Sequence, residues 1–579
     1  MDAATAFKTV EVLQGAFKIM AALHLTNYLW PHQAVVRNGT NFDFIVVGGG
    51  TAGSVIANRL SEIEHINVLL IEAGGDPPFE SDLPGVPILM KRSRYDWNFT
   101  TEFNGFKDSC HLQSYYEITQ GKMLGGTSSL NYMVYHKGQP RDFDSWAEIT
   151  NDDSWKWKNV FPYFFKYEKL EDPQLLHAVE KKYYGTEGFI GINRDHREQI
   201  INFLDSYREL GNDIVLDFSE QHRVGFAAQT VTISGRSRQS SAYAFLSSVK
   251  DRRNLIILKN TLVTKIIFDG NKKAIGVEVR TEDGETMNFK AKKEVIVSAG
   301  VFNTPKLLML SGIGPQEHLK CKNIEVISNL PVGENLQEHY TAIIVHNLDN
   351  ITEALPDPSP YELPGSSFTG FVALNKTSTY PDYQVITYVA PAETVLFYCS
   401  FGFRFSDEVC NNIYKQGTNK LQAFNEIVNI APKSRGKVLL TSNDPKDPPL
   451  IQSGFLSDKD DVEALVDYIL DFVPVINTTY YRDVDAVMAD ISTCNEFQKD
   501  TRDYWRCYIM CVSSGLSHLT STCPMGSVVD GRLRVKGVSG LRVADASVMP
   551  TITRGNPVGP ILLIGEKAAD MIKQDHNLI

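Results

Sequence analysis

NFDFIVVGGGTAGSVIANRLSEIEHINVLLIEAGG, residues 41–75, decides the fold. Phe42 to Val47 is an almost unbroken apolar run closed by glycine, the pattern of a buried parallel strand. Gly48, Gly50 and Gly53 then match G-x-G-x-x-G, and Ala52, Val55, Ile56 and Leu60 follow at helical spacing. Val68–Ile71 reads as the next strand and delivers Glu72, nineteen positions after Gly53. Each part has a task in a dinucleotide site. Gly48 permits the tight turn, Gly50 lets the backbone approach a pyrophosphate, and Gly53 lets the helix pack on the strand. Thr51 and Ala52 open the helix, where unpaired N–H groups and the dipole favour negative charge. Glu72 would accept hydrogen bonds from the adenosine ribose. No second full fingerprint follows, so one dinucleotide is expected, and it must itself carry the redox chemistry.

The bulk composition excludes several classes. The 579 residues, 43% hydrophobic and 22% charged, are enough for several domains of ordinary globular type. A net charge of −12 argues against a nucleic-acid partner. The eight cysteines (110, 321, 399, 410, 494, 507, 511 and 523) are too sparse for a disulfide scaffold. They form no C-x-x-C pair, so no metal site is expected. No apolar run reaches the ~18–20 residues of a transmembrane helix. Ile19–Leu25 is a short apolar stretch that reads better as part of an amphipathic helix than as a secretory signal, leaving secreted and cytoplasmic locations both open. Five N-x-T sequons stand at Asn38, Asn98, Asn350, Asn375 and Asn477.

Three further stretches extend the reading. GKMLGGTSSLNYMVYHKGQPRDFDSW (121–146) joins a glycine pair, hydroxyls and an amide. VIVSAGVFNTPKLLMLSGIGP (295–315) reads as strand, turn and helix, with Thr304 the expected N-cap and Pro305 the first helical residue. VADASVMPTITRGNPVGPILLIGEKAADMI (543–572) runs from a strand through a polar turn to a closing helix. With the fingerprint, these resemble the glucose–methanol–choline oxidoreductase family, which binds FAD. EAGGDPP, LNYMVY and LRVADASVMPT are similar to its insect branch, with glucose dehydrogenase-like and ecdysone oxidase-like members.

The resemblance implies a mixed α/β and α+β architecture, a Rossmann-like FAD-binding domain interleaved with a sheet-plus-helices substrate-binding domain. The FAD domain would comprise 40–154, 225–340 and 515–579, and the substrate domain 155–224 and 341–514, after an N-terminal segment 1–39. Pro432–Ile451 would belong to the substrate domain. Gly125, Thr127 and Ser128 would pass under the FAD pyrophosphate, and Asn131 and Val134 would lie closer to the flavin. Val263 would bond adenine through its backbone, Asp545 and Ala546 would return to the cofactor, and Pro557 and Val558 would sit beside the pyrimidine edge. Some relatives bind FAD covalently through a histidine where this chain has Leu130, so non-covalent FAD is expected. Val301 replaces a small residue of the second signature.

Oxidising an alcohol needs a base for the hydroxyl proton, and histidine titrates near working pH. The resemblance makes that base His518, ahead of Thr522, Cys523, Met525 and Gly526, with Asn556 as the partner that orients the substrate oxygen. The frame is unusual: Ser517 and Leu519 flank the histidine, and the turn reads NPVGP. The expected reaction is oxidation of a CH–OH group, with oxygen or a quinone as electron acceptor. An ecdysteroid is the expected substrate, from the branch resemblance and the aromatic run Val385–Phe403, which reads equally well as a core strand. A sugar or an aryl alcohol stays open, as do a cyanohydrin lyase and a flavoprotein without turnover.

Overall fold

A computed structural model describes residues 29–102, 109–218, 224–351 and 359–579, together with Leu13. Ile19–Leu25 therefore lies outside the described residues. Two seven-stranded sheets organise the chain.

The first sheet is built on the quoted stretch. Strand β1 (Asn41–Val47) runs into helix α1 (Thr51–Ser61), and β2 (Val68–Ile71) returns parallel to β1. Strand β3 (Gly225–Ala228) follows much later in the chain and belongs elsewhere. Strands β4 (Leu255–Leu258), β5 (Thr261–Phe268), β6 (Ala274–Thr281) and β7 (Thr286–Val297) complete the order β4-β2-β1-β7-β6-β5. The central strands are parallel, while β6 pairs antiparallel to both β5 and β7. Phe44, Ile45 and Val46 of β1 are fully buried, as expected for a strand covered on both faces. Each such side chain contributes roughly 1.5–3 kcal/mol by leaving water.

Helix α2 (Gly300–Leu310) follows β7, and here the structure corrects the expected helix start. The N-cap is Ala299 rather than Thr304, and Pro305 lies inside the helix. A proline there lacks an N–H and leaves the carbonyl four residues back without its helical donor. That carbonyl belongs to Val301, and the Thr522 hydroxyl donates to it at 2.7 Å. Thr304 still serves the helix start, because its hydroxyl accepts from the Ala299 N–H at 3.1 Å.

The second sheet is antiparallel throughout. Strands β8 (Tyr340–Leu348), β9 (Ser366–Val372), β10 (Tyr383–Pro391), β11 (Leu421–Asn429), β12 (Val487–Met488) and β13 (Ser513–Gly515) join β3 in the order β12-β8-β11-β10-β9-β3, with β13 also on β8. Residue 225, where a cofactor-side segment was expected to begin, therefore starts an edge strand of this sheet. Packing explains the change, since Phe226 stacks on Tyr207 at 3.7 Å between centroids. The chain then returns to the first sheet through β14 (Leu541–Val543), parallel to β7, and ends in α3 (Val558–Asp575). Helix α3 lies against α1, where Arg59 and Glu566 form an ion pair at 2.7 Å. The fold is thus a Rossmann-like α/β sheet joined to an α+β sheet-plus-helices unit.

Six of the eight cysteines pair, as Cys110–Cys511, Cys399–Cys410 and Cys494–Cys507. The cysteines are too few to be the scaffold of this chain, but their sparseness hid three bonds. Cys110–Cys511 ties a distant loop to the helix Arg502–Val512, which leads into β13 and the loop carrying His518. All five sequon asparagines are exposed.

Candidate active site

One continuous cavity runs between the two sheets, from the β1–α1 turn to the His518 loop. All the expected site residues line it except Gly53 and Gly125. Those two shape the backbone behind it. A Cβ on Gly53 would lie 1.9 Å from the Gly48 carbonyl oxygen, so only glycine lets α1 close on the turn. The Gly125 N–H donates to the Gly49 carbonyl at 2.7 Å and ties the second loop to the first.

The turn fits a pyrophosphate. No side chain caps α1 and no acid occupies its first turn, so the N–H groups at Thr51 and Ala52 remain for an anion. A Cβ on Gly50 would meet nothing nearer than Gly126 at 3.9 Å, which leaves the cavity side of the turn open. Gly48 holds φ at +97°, and a Cβ there would press within 2.4 Å of the Ser298 carbonyl oxygen.

Glu72 is buried at the end of β2. Its Oε2 accepts from the Gly49 N–H at 2.8 Å and its Oε1 from the Gly74 N–H at 2.9 Å. Burial outweighs these donors and pushes the carboxyl up to about 7. A carboxyl oxygen has two lone pairs, so each still has one to offer a ribose hydroxyl. Asp545 closes the start of α2, accepting from the Gly300 N–H at 2.8 Å and the Thr304 hydroxyl at 2.6 Å. Its Oδ1 accepts from the Ser547 N–H at 2.8 Å.

The middle loop is held by its own hydroxyls. Ser128 Oγ donates to the Gly125 carbonyl at 2.7 Å, and Thr127 Oγ1 to Gln120 Oε1 at 3.0 Å. Asn131 Oδ1 accepts from the Met133 N–H and from Arg238. Val134, Val263, Ala546, Pro557 and Val558 are apolar wall, and Leu130 also lines the cavity.

His518 and Asn556 meet directly, with Asn556 Nδ2 3.0 Å from His518 Nε2. The Asn556 Oδ1 accepts from Gln384 Nε2 at 3.4 Å, which orients the amide with its nitrogen toward the histidine. His518 Nε2 is then the bare nitrogen, and Nδ1 carries the proton. That Nδ1–H donates to His339 Nδ1 at 3.1 Å. Burial lowers the His518 pKa to about 3, and burial first and His518 second hold His339 well below its ordinary value. Both imidazoles are therefore neutral, and the His518 tautomer presents an acceptor to the cavity.

Glu338 braces this loop. Its Oε1 accepts the His518 N–H at 2.7 Å and the His339 N–H at 3.0 Å. Ser517 and Ser521 hold φ at 59° and 76°, so the loop is locally strained and needs such anchoring. Removing the carboxyl leaves two buried donors unpaired, each costing about 1–3 kcal/mol. Glu338→Ala is expected to destabilise the fold by roughly 2–5 kcal/mol in urea unfolding. A change under about 0.5 kcal/mol would contradict that bracing role.

His339, Glu338 and Gln384 were missed in the sequence. Their contacts with His518 and Asn556 span more than a hundred residues, and no short motif marks them. The two departures Val301 and Leu519 share one apolar cluster with Leu336 and Tyr340, so they pack together. Of the run Val385–Phe403, expected as a core strand, only the part to Pro391 is strand, and Ala392–Gly402 is helical. Ile386, Tyr388 and Ala390 of β10 face the cavity, while Val385 and Val389 pack in the core of the second sheet.

Comparison with known proteins agrees with this geometry. Two family models described as GMC oxidoreductase match residues 42–341 and 432–565. The chain is 38% identical to an ecdysone oxidase of Spodoptera littoralis, over 94% of each chain. It is 33% identical to a glucose dehydrogenase [FAD, quinone] of Drosophila melanogaster, covering 92% of this chain and 87% of that protein. A crystal structure of formate oxidase superposes with a TM-score of 0.81 at 26% identity, over 94% of this chain and all of the other. A glycine turn that leaves room for a dinucleotide, in one cavity with a neutral histidine–asparagine pair, and two matching family models together place this chain in the GMC oxidoreductase family.

Proposed function

We propose that this chain, an FAD-dependent alcohol-oxidising member of its family, acts on a bulky polyhydroxylated alcohol of the ecdysteroid class. His518 is the base and Asn556 its partner. The observation that carries this is the 3.0 Å contact of His518 Nε2 with Asn556 Nδ2, on the wall of the cavity that also holds the β1–α1 turn. Bound FAD supplies the acceptor for the hydride that leaves the carbinol carbon. The first sheet forms the cofactor side and the second sheet the substrate side.

The residues divide the remaining work. The substrate hydroxyl replaces the direct contact of His518 Nε2 with Asn556 Nδ2, giving its proton to the first and accepting a hydrogen bond from the second. His339 receives the His518 Nδ1–H and holds the ring in the tautomer that leaves Nε2 bare. The aromatic wall, with Tyr388, Phe403 and Phe424, supports a large, largely apolar substrate over a sugar. The greater identity to ecdysone oxidase than to glucose dehydrogenase supports the same choice.

Side-by-side turnover of ecdysone, glucose and benzyl alcohol, with oxygen and with a quinone dye, tests the substrate class. Ecdysone is expected to have the highest kcat/KM. A clear preference for glucose contradicts the reading.

The lowered pKa of His518 sets a pH dependence. Its bare form persists as the pH falls, down to about 3, instead of being lost through the ordinary 6.5. Between pH 8 and 5 kcat/KM is therefore expected to change by less than about threefold. A histidine of ordinary pKa would lose about 30-fold by pH 5. An acid limb centred near 6.5 in the pH–rate profile would contradict this.

A further inference from the structure

Strand β11 reads LQAFNEIVN, and its one ionisable residue, Glu426, is 8% exposed and faces the cavity. Glu426 makes no hydrogen bond or ion pair to any of the described residues, and burial alone pushes its carboxyl up to about 8. Three tyrosines, Tyr132, Tyr388 and Tyr398, line the same part of the cavity and lie within the reach of its charge. Their hydroxyls also bond to none of the described residues. Tyr132 and Tyr398 face each other with ring centroids 6.1 Å apart.

Register separates this cluster from the chemistry. Gln384, which bonds Asn556, lies two residues before Ile386 on β10, and Ile386 is the cross-strand partner of Glu426. Two residues along a strand and one strand across place Glu426 and Gln384 roughly 8 Å apart at Cα. A carboxyl buried without a protein partner is costly unless something polar meets it, and the three half-buried phenols open on the same space.

We propose that Glu426, with Tyr132, Tyr388 and Tyr398, forms a polar subsite for a substrate hydroxyl remote from the carbon being oxidised, and so selects polyhydroxylated over singly hydroxylated alcohols. The inference rests on the substrate class proposed above and adds to it where the second polar end is bound. A neutral carboxyl offers one O–H donor and a carbonyl acceptor, and each phenol offers both roles. That set matches a neutral hydroxyl better than a cation or an anion.

The test uses two steroid alcohols identical at the oxidised carbinol, one with and one without hydroxyls at the far end of the skeleton. Wild-type enzyme is expected to favour the hydroxylated one. In Glu426→Leu the ratio of the two kcat/KM values falls about 10–100-fold, carried mainly by KM. Tyr132→Phe lowers it about 2–10-fold, and Glu426→Gln, which keeps a donor and an acceptor, stays within about threefold of wild type. An equal loss on both steroids in Glu426→Leu, or no change in the ratio, overturns the subsite. A fall in Glu426→Gln as deep as in Glu426→Leu also overturns it, because an anion would then be required. Wild type that turns over glucose or benzyl alcohol but neither steroid overturns the substrate class itself, a result distinct from an unchanged ratio.

Discussion

His518→Ala is expected to slow reduction of the bound flavin by substrate about 10²–10⁴-fold, the usual worth of a positioned general base. The loss follows from the geometry at Nε2. Asn556 Nδ2, 3.0 Å away, can hold the substrate oxygen but has no lone pair to accept its proton. His339 cannot substitute, because its Nδ1 is directed at His518 and its ring is fully buried behind it. Rapid mixing without oxygen measures the step apart from reoxidation. His518→Gln separates shape from basicity, since it fills the site without a titratable nitrogen, and it is expected to lose as much. Rates within about threefold of wild type in both variants would remove His518 from the role of base.

The second large effect is expected at Gly53. An added Cβ would meet the Gly48 carbonyl oxygen at 1.9 Å and its carbon at 3.1 Å, both backbone atoms that cannot swing aside. Helix α1 would have to move off the turn, and overpacking of this kind costs typically 1–3 kcal/mol, sometimes more. Gly53→Ala is expected to purify with less than about a tenth of the wild-type flavin, read from the visible absorbance relative to protein. Gly50→Ala separates lost folding from lost binding. Its Cβ meets only Gly126 at 3.9 Å, so the chain folds, while the methyl occupies the open side of the turn. The thermal midpoint of its apoprotein should match that of wild-type apoprotein while FAD binds at least about tenfold more weakly. Full flavin content in Gly53→Ala would contradict the account of the turn.

Local elements were legible because their causes are local. The order strand, glycine turn, helix, strand and acid in 41–75 depends on residues close in sequence, and Gly48, Gly53 and Glu72 all stand where that order requires. The start of α2 was misread because Pro305 suits a first turn, and the compensating donor Thr522 is 217 positions away from it. Cys110 and Cys511, 401 positions apart, gave no spacing to read. His339 reaches His518 across 179 positions, so the motif could deliver His518 without the residue that orients its ring. Glu426 is a different case. A lone ionisable residue is visible in LQAFNEIVN, but its destination depends on the register of β10 against β11.

The central claim is that His518 and Asn556 oxidise an alcohol at the expense of bound flavin. The most direct measurement is the visible spectrum of the purified holoprotein mixed with ecdysone in the absence of oxygen. The account predicts that the flavin absorbance bleaches in a single turnover, with one equivalent of ketone formed per flavin. Flavin that stays oxidised with ecdysone, glucose and benzyl alcohol alike would contradict it, and so would cyanohydrin cleavage without bleaching.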